Sequence, residues 1–484
     1  MTDFDVAVVG SGPNGLAAAV TMARAGLSVR VYEADSRIGG GARTEELTLP
    51  GFSHDVCSAV HPQALASPFF RAFELEKRME FVVPDVSYAH PLDGGRAGIA
   101  FRNLQRTADG LGQDGRTWLR LFRPLLDHLE GVVDFTGGNL LRVPRDPIGT
   151  FGFGIRALAQ GSPAWNAGFT REEGPAMLTG VAAHAGTRLP SLGSAGTELL
   201  LGMHAHASGW PIPVGGSQSI VDAMASDLLA HGGEIVTDAE IRSRADLVST
   251  RATLFDTSAR AMVSILGDQV PDRYRRAAQC VRYGNGVAKV DFALRGPVPW
   301  ANEGVLAAGT VHLGGTRAEL ARSEAEVNRG KHPTSPYVLL SQPSGFDPSR
   351  APEGSHVLWA YTHVPSGSTV DATEAITAQI ERFAPGFRDV ILASSARSAR
   401  DLERHNSNYI GGDISGGSVS ITQLMRRPIV STDPWSTPVR GAYLCSASTP
   451  PGPSVHGMNG WLAARSALRR SFGTKSMPSL GLAD

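Results

Sequence analysis

The sequence predicts an α/β protein: a parallel, doubly wound sheet interrupted by a second, α+β domain. Three observations predict it. A strand, glycine-rich turn, helix, strand and acid follow one another without a break at the N-terminus. A strand, loop and helix return to the same sheet near the C-terminus. The length of 484 residues exceeds what one hydrophobic core usually holds, so two domains are expected.

The first strand is read over Phe4 to Val9, an apolar run broken only by Asp5 and suited to a buried parallel strand. It enters Gly10-Ser11-Gly12-Pro13-Asn14-Gly15, a G-x-G-x-x-G turn. Gly10 permits the tight turn, Gly12 the approach of a pyrophosphate, and Gly15 close helix–strand packing. Leu16 to Ala25 reads as an Ala-rich helix ending at Gly26, and Ser28 to Tyr32 as a second strand ending on Glu33. The helix N-terminus offers free N–H groups to phosphate, and Glu33 has the spacing of the acid that accepts ribose hydroxyls. A Rossmann-type dinucleotide-binding unit is therefore expected.

Arg37-Ile38-Gly39-Gly40-Gly41-Ala42-Arg43-Thr44 follows within a few positions. A plain NAD-binding domain has no reason for such a loop. It resembles the glycine-rich loop of the amine oxidase and phytoene desaturase flavoproteins, which passes beneath the flavin and brings its arginine to the phosphates. The resemblance implies FAD as the cofactor and Arg43 as a second phosphate contact. Gly51-Phe52-Ser53-His54-Asp55 is similar to that family's continuation.

Pro213 to Ile220 opens a helix ending near His231, and Gly232-Gly233-Glu234-Ile235 starts a strand expected to reach Ile241. In the family this strand runs beside the adenine, which the residue at the place of Ile241 contacts. Ala252 to Asp256 reads as a further apolar strand. Gly441 to Ser446 reads as the last strand, leading through Pro450-Pro451-Gly452-Pro453-Ser454-Val455-His456-Gly457 into a helix from Met458 to about Leu468. This resembles the closing motif of phytoene desaturase-like enzymes, whose helix N-terminus points at the flavin pyrimidine. Negative charge developing there on reduction is stabilised by aligned N–H groups. Many relatives carry Gly-Asp where this chain has Ser446-Ala447, so a carboxylate contact to the ribityl chain is absent.

The expected division is an FAD-binding domain of residues 1–65, 213–275 and 431–472, and a substrate domain of 66–212 and 276–430. Residues 473–484 are expected to form a flexible tail. Phe81 to Phe101 reads as paired strands turning at Asp93-Gly94-Gly95. Trp118 to Val133 reads as an amphipathic helix that Pro124 bends or begins. Tyr283-Gly284-Asn285-Gly286 leads into an alternating strand carrying Lys289. In amine oxidases a lysine after a Gly-Asn turn holds a water against flavin N5; here the spacing differs by a residue, and an exposed strand lysine is the plain alternative. His456, just before the flavin-facing helix, is a candidate to orient a substrate polar group or move a proton. His61, His184, His204 and His206 are read as structural, the last two sharing a face of a strand.

The candidate cofactor contacts are thus Gly10, Gly12, Pro13, Asn14, Gly15, Glu33, Ala34, Gly40, Gly41, Arg43, Thr44, Ile241, Ser446, Val455, Gly457, Met458 and Asn459. Lys289 and His456 are the catalytic candidates, and no metal site is read. A net charge of −1 argues against nucleic acid. Cys57, Cys280 and Cys445 are far apart without a C-x-x-C, which suits a reducing cytosol. No run of about 18 apolar residues occurs, so the expected location is cytoplasmic, with at most peripheral membrane contact. Within the phytoene desaturase-like group the chain looks nearest the branch typified by pyridine nucleotide-disulfide oxidoreductase domain-containing protein 2, although it has no redox-active cysteine pair. The resemblance implies a dehydrogenase or desaturase taking hydride from a C–H bond of an apolar or amphiphilic molecule, reoxidised by oxygen or a quinone. Flavin amine oxidase, or a flavin-binding partner protein with little turnover, are the alternatives.

Overall fold

The computed structural model describes residues 4–482. A five-stranded sheet takes its strands in the order Ala442–Leu444, Ala252–Phe255, Val6–Val9, Val29–Tyr32, Glu234–Val236. All its neighbours run parallel. Parallel strands need crossovers that cover both faces, and Val6–Val9 is buried at every position. The helices Pro13–Arg24, Gln218–Ala230 and Met458–Ser471 bury their apolar faces in the same core as this sheet. Gly10, Glu33, Asp256 and Cys445 each directly follow a strand of this sheet, so they collect at its carboxyl edge, where open parallel sheets bind ligands.

The first and last of these helices cross at very close range. A methyl group on Gly460 would stand 1.9 Å from the Asn14 carbonyl oxygen, and one on Gly15 2.1 Å from the Gly10 carbonyl oxygen. Gly15 therefore serves the close packing that the turn motif requires.

A seven-stranded mixed sheet has the order Ile391–Arg397, Gly286–Leu294, His356–Val364, Val338–Ser341, Ala308–Leu313, Val86–Leu92, Arg96–Phe101. The hairpin of the last two turns at Asp93–Gly95, as the sequence suggests. Gly286–Leu294 is buried at all nine positions, yet it still alternates in chemistry. Ala288, Val290, Phe292 and Leu294 join the apolar core on one face. Lys289 and Asp291 lie on the other, opposite Tyr361 and Trp359. Burial on both faces, not exposure of one, is the reason Lys289 is not a surface lysine.

Other expectations need correction. Trp118 to Val133 is not one helix: Gly115–Asp127 contains Pro124 within it, and Leu129–Thr136 follows after His128. His204 and His206 end the helix Leu192–His206 and do not lie on a strand. The strand leading towards Ile241 stops at Val236. Of the expected flexible tail, residues 473–482 lie against the protein. Leu480 is 2% exposed, its carbonyl accepts from Arg78 at 3.1 Å, and the Leu482 N–H donates to Glu74 at 2.9 Å. Residues 483 and 484 lie outside the described part. Among the described residues no helix is long and apolar enough to cross a membrane.

Candidate functional site

One cavity of about 1300 Å³ runs from the glycine turn of the parallel sheet to the polar-and-aromatic face of the mixed sheet. Gly10, Gly12, Pro13, Asn14, Glu33, Ala34, Gly40, Gly41 and Arg43 line its first part, together with Ile241, Ser446, Val455 and His456. The second part is a largely apolar chamber walled by Phe153, Ala157, Leu200, Trp210, Leu339 and Leu424. Trp359 and Tyr361 stand on its sheet wall, ring centroids 5.3 Å apart at 89°.

Gly10 adopts φ +99° and Gly40 φ +55°, a left-handed region that glycine reaches without strain. Gly41 is required by crowding: a methyl there would meet the Tyr409 hydroxyl at 2.0 Å. Glu33 is held in place by the chain itself. Its Oε2 accepts from the Ser11 hydroxyl at 2.5 Å and from the Ser11 N–H at 3.0 Å, and its Oε1 accepts from the Asp35 N–H at 3.0 Å. Glu33 thereby braces the turn as well as facing the cavity. Ile241 reaches the wall although its strand has ended, because the Ala239 N–H donates to the Glu33 carbonyl at 2.8 Å and keeps the chain alongside. Arg43 reaches the wall at 4% exposure, paired with Asp35 at 2.9 Å and Glu45 at 3.1 Å. Its guanidinium also approaches the His405 ring at 3.0 Å.

Five expected contacts stand back from the wall. Gly15 packs against the Gly10 carbonyl and Asp256, and its N–H donates to Asp256 Oδ2 at 2.8 Å. The Thr44 hydroxyl donates to Asp55 at 2.8 Å. Gly457, at φ +66°, begins the last helix. The Met458 N–H, expected to point at flavin, donates instead to His456 Nδ1 at 3.1 Å. The Asn459 amide donates to the Thr449 carbonyl at 2.8 Å. The physical reason for the Met458 contact is local: a histidine placed two residues ahead of a free helix N–H caps it.

His456 is buried, and that burial pulls its pKa down to about 4, so the ring is neutral near pH 7. With Nδ1 accepting from Met458, the proton sits on Nε2, which has no protein partner. The side chain therefore presents a neutral N–H donor. Its own carbonyl accepts from the Ser67 hydroxyl at 2.5 Å, which ties the loop to the helix Pro68–Ala72.

Lys289 is 2% exposed and does not reach the cavity wall. Its ammonium pairs with Asp291, two residues on along the same face, and lies 5.9 Å from the centroid of the Trp359 ring. Burial lowers the lysine and raises the aspartate, each opposed by the attraction of the other. Lys289 thus stands in the same sheet layer as Trp359 and Tyr361, on the strand that flanks theirs. His204 and His206 are buried; His206 lies against Trp118 and Phe122, and its Nε2 accepts from Trp118 at 3.0 Å.

Sequence reasoning missed Asp256, Cys57, Trp359, Tyr361 and Tyr409, all on the wall. Asp256 carried a usable signal: like Glu33 it is an acid immediately after a parallel strand. The aromatic residues and Cys57 carried none, because strand register and loop return bring them together.

Residues 8–73 match the family described as NAD(P)-binding Rossmann-like domain. A mouse protein named pyridine nucleotide-disulfide oxidoreductase domain-containing protein 2 is 25% identical over 96% of this chain and 94% of its own. Its rat counterpart is 26% identical over the same shares. The resemblance read from the motifs thus extends along nearly the whole chain. Among solved structures, a putrescine oxidase triple mutant is 17% identical with a TM-score of 0.64, covering 97% of this chain and 99% of that one. Cyclohexylamine oxidase from Brevibacterium oxydans is 14% identical with a TM-score of 0.58, covering 97% and 98%. The fold is the amine oxidase-like one, a Rossmann-type sheet joined to a mixed α/β part.

Proposed function

We propose that the chain is an FAD-dependent oxidoreductase that removes hydride from a C–H bond of an apolar or amphiphilic small molecule. The observation that carries this is the single cavity joining the dinucleotide turn to an apolar chamber. The residues fit FAD: the glycine turn, Glu33 and His456 all line the cavity, and the His456 Nε2 has no protein partner. FAD supplies the acceptance of a hydride. The chain's own contribution is to hold the substrate against it in an apolar chamber and exclude water. His456 donates its Nε2 hydrogen to a substrate or cofactor oxygen without changing charge. The oxidant that reoxidises the cofactor, oxygen or a quinone, is an expectation from the family resemblance.

His456→Ala is expected to keep most bound flavin, lose about 0.5–2 kcal/mol of stability with the helix cap, and slow substrate-dependent flavin reduction. Flavin absorbance and stopped-flow bleaching measure the two separately. Normal bleaching would remove His456 from the site, and loss of flavin would make it a structural pin.

Flavin amine oxidation is a second reading, supported by the Trp359–Tyr361 pair at the wall and by the fold. Anaerobic bleaching by amphiphilic alcohols or unsaturated lipids, and not by primary amines, is the result expected on the first reading. Bleaching by amines alone favours the second.

The helix Pro147–Gln160 supports peripheral membrane contact. Thr150, Phe153, Gly154 and Ala157 face the cavity, while Ile148, Phe151, Ile155 and Leu158 are 49–73% exposed on the outside. A helix apolar on both sides suits a lipid boundary, and Arg142 and Arg145 precede it. The protein is expected to float with anionic vesicles, and Phe151→Ser/Ile155→Ser to float less. Equal flotation of both proteins, or dimers that bury this face in solution, would refute lipid contact.

A further inference from the structure

Asp256 directly follows its strand and stands in the cavity wall, its carboxyl against Gly12 and Gly15 and its backbone against Gly10 of the N-terminal turn. A methyl group at Gly12 would come 2.7 Å from Asp256 Oδ2, and one at Gly10 2.8 Å from the Asp256 carbonyl oxygen. The same Oδ2 accepts the Gly15 N–H at 2.8 Å. This is where a dinucleotide's pyrophosphate meets the helix, and donors there are few. Pro13 has no N–H, and the Leu16 N–H already reaches the Gly12 carbonyl at 3.0 Å. Asn14 and Gly15 are left, and Asp256 holds one of them.

The titratable groups facing this carboxyl are Glu33 from the neighbouring strand end, Tyr409 from the loop over Gly41, and Cys445 from the last strand. Among the described residues no cationic side chain acts on it. Burial, and then the Glu33 carboxylate, push its pKa up to about 7, with the Gly15 N–H opposing them.

We propose that Asp256 binds the FAD pyrophosphate in its protonated form, so that the chain takes up a proton as it takes up the cofactor. Without cofactor the carboxylate occupies the anion position at the helix N-terminus. A phosphate arriving there meets a like charge, and protonation converts the repulsion into an O–H donated to a phosphate oxygen. The proton comes from solvent, and no bond to carbon or phosphorus changes. This inference rests on the FAD reading and adds the residue that sets its pH dependence. The sign follows from linkage. Below the pKa of the free carboxyl the proton is already present and affinity is flat. Above it, affinity falls by up to about tenfold per pH unit until the pKa in the complex is reached.

The test titrates apoprotein with FAD between about pH 6 and about pH 9 by flavin fluorescence, and reads proton uptake by calorimetry in two buffers of different ionisation enthalpy. Wild type is expected to bind more weakly above neutrality, and at the alkaline end of the range to take up close to one proton. Asp256→Asn keeps an acceptor for Gly15 but cannot ionise, and is expected to bind with pH-independent affinity. FAD binding by wild type without proton uptake overturns the proposal whether or not the variant folds. So does a pH slope retained in Asp256→Asn. Failure of wild type to bind FAD at any pH removes the cofactor reading itself, and the inference with it.

Discussion

Lys289→Met is expected to lower stability by about 3–5 kcal/mol, the usual cost of removing one partner from a buried charged pair. The methionine keeps an apolar stem of similar length, so packing is nearly preserved and the loss falls on Asp291. That carboxyl is 1% exposed; His54 stands 3.7 Å away, and of the permanent cations Arg397 is left to act on it, without an ion pair. In the variant His54 is freed of the Lys289 charge, but burial and the Arg350 charge still hold its pKa down, so it is a poor substitute. Thermal or urea unfolding measures the loss. The double variant Lys289→Met/Asp291→Leu removes both polar groups together and is expected to recover most of it. A single variant that unfolds like wild type would mean that the pair does not form.

Gly457→Val is expected to cost about 1–2 kcal/mol for a left-handed non-glycine residue, with about 1–3 kcal/mol more from overpacking. The glycine adopts φ +66°, and a Cβ would stand 2.3 Å from Phe69 Cδ1 and 3.2 Å from Ala17 Cβ. Phe69 is fully buried and stacked on Phe73 with centroids 5.8 Å apart, so it has little room to yield. The strain falls on the loop that carries Val455 and His456 to the cavity wall. Flavin content and the melting midpoint are therefore expected to fall together, unlike in His456→Ala. Wild-type values for both would show that the loop tolerates a side chain at this position and that its geometry is not what holds the cofactor.

The N-terminal unit was legible because its signals are consecutive: strand, turn, helix, strand and Glu33 occupy one uninterrupted stretch. The last strand and helix were legible for the same reason. The environment of Lys289 was not, since it depends on which strands flank Gly286–Leu294 and on both faces being covered. Its partner was nevertheless in view, because residues two apart on a strand share a face. His204 and His206 misled by the same rule: spacing of two suggested a strand, whereas both end a helix, which sets His206 among Trp118 and Phe122. The direction of the Met458 N–H was hidden in a contact across only two residues, a histidine acting as a cap, which is not one of the usual capping types. Asp256 was overlooked although its position after a strand matches that of Glu33.

The identity of the bound cofactor tests the account most directly. Protein purified or reconstituted with mixed flavins, then denatured and chromatographed, is expected to release FAD and no FMN, because the glycine turn and Glu33 are built for the adenosine half that FMN lacks. Release of FMN alone, or retention of no flavin from either source, would contradict it.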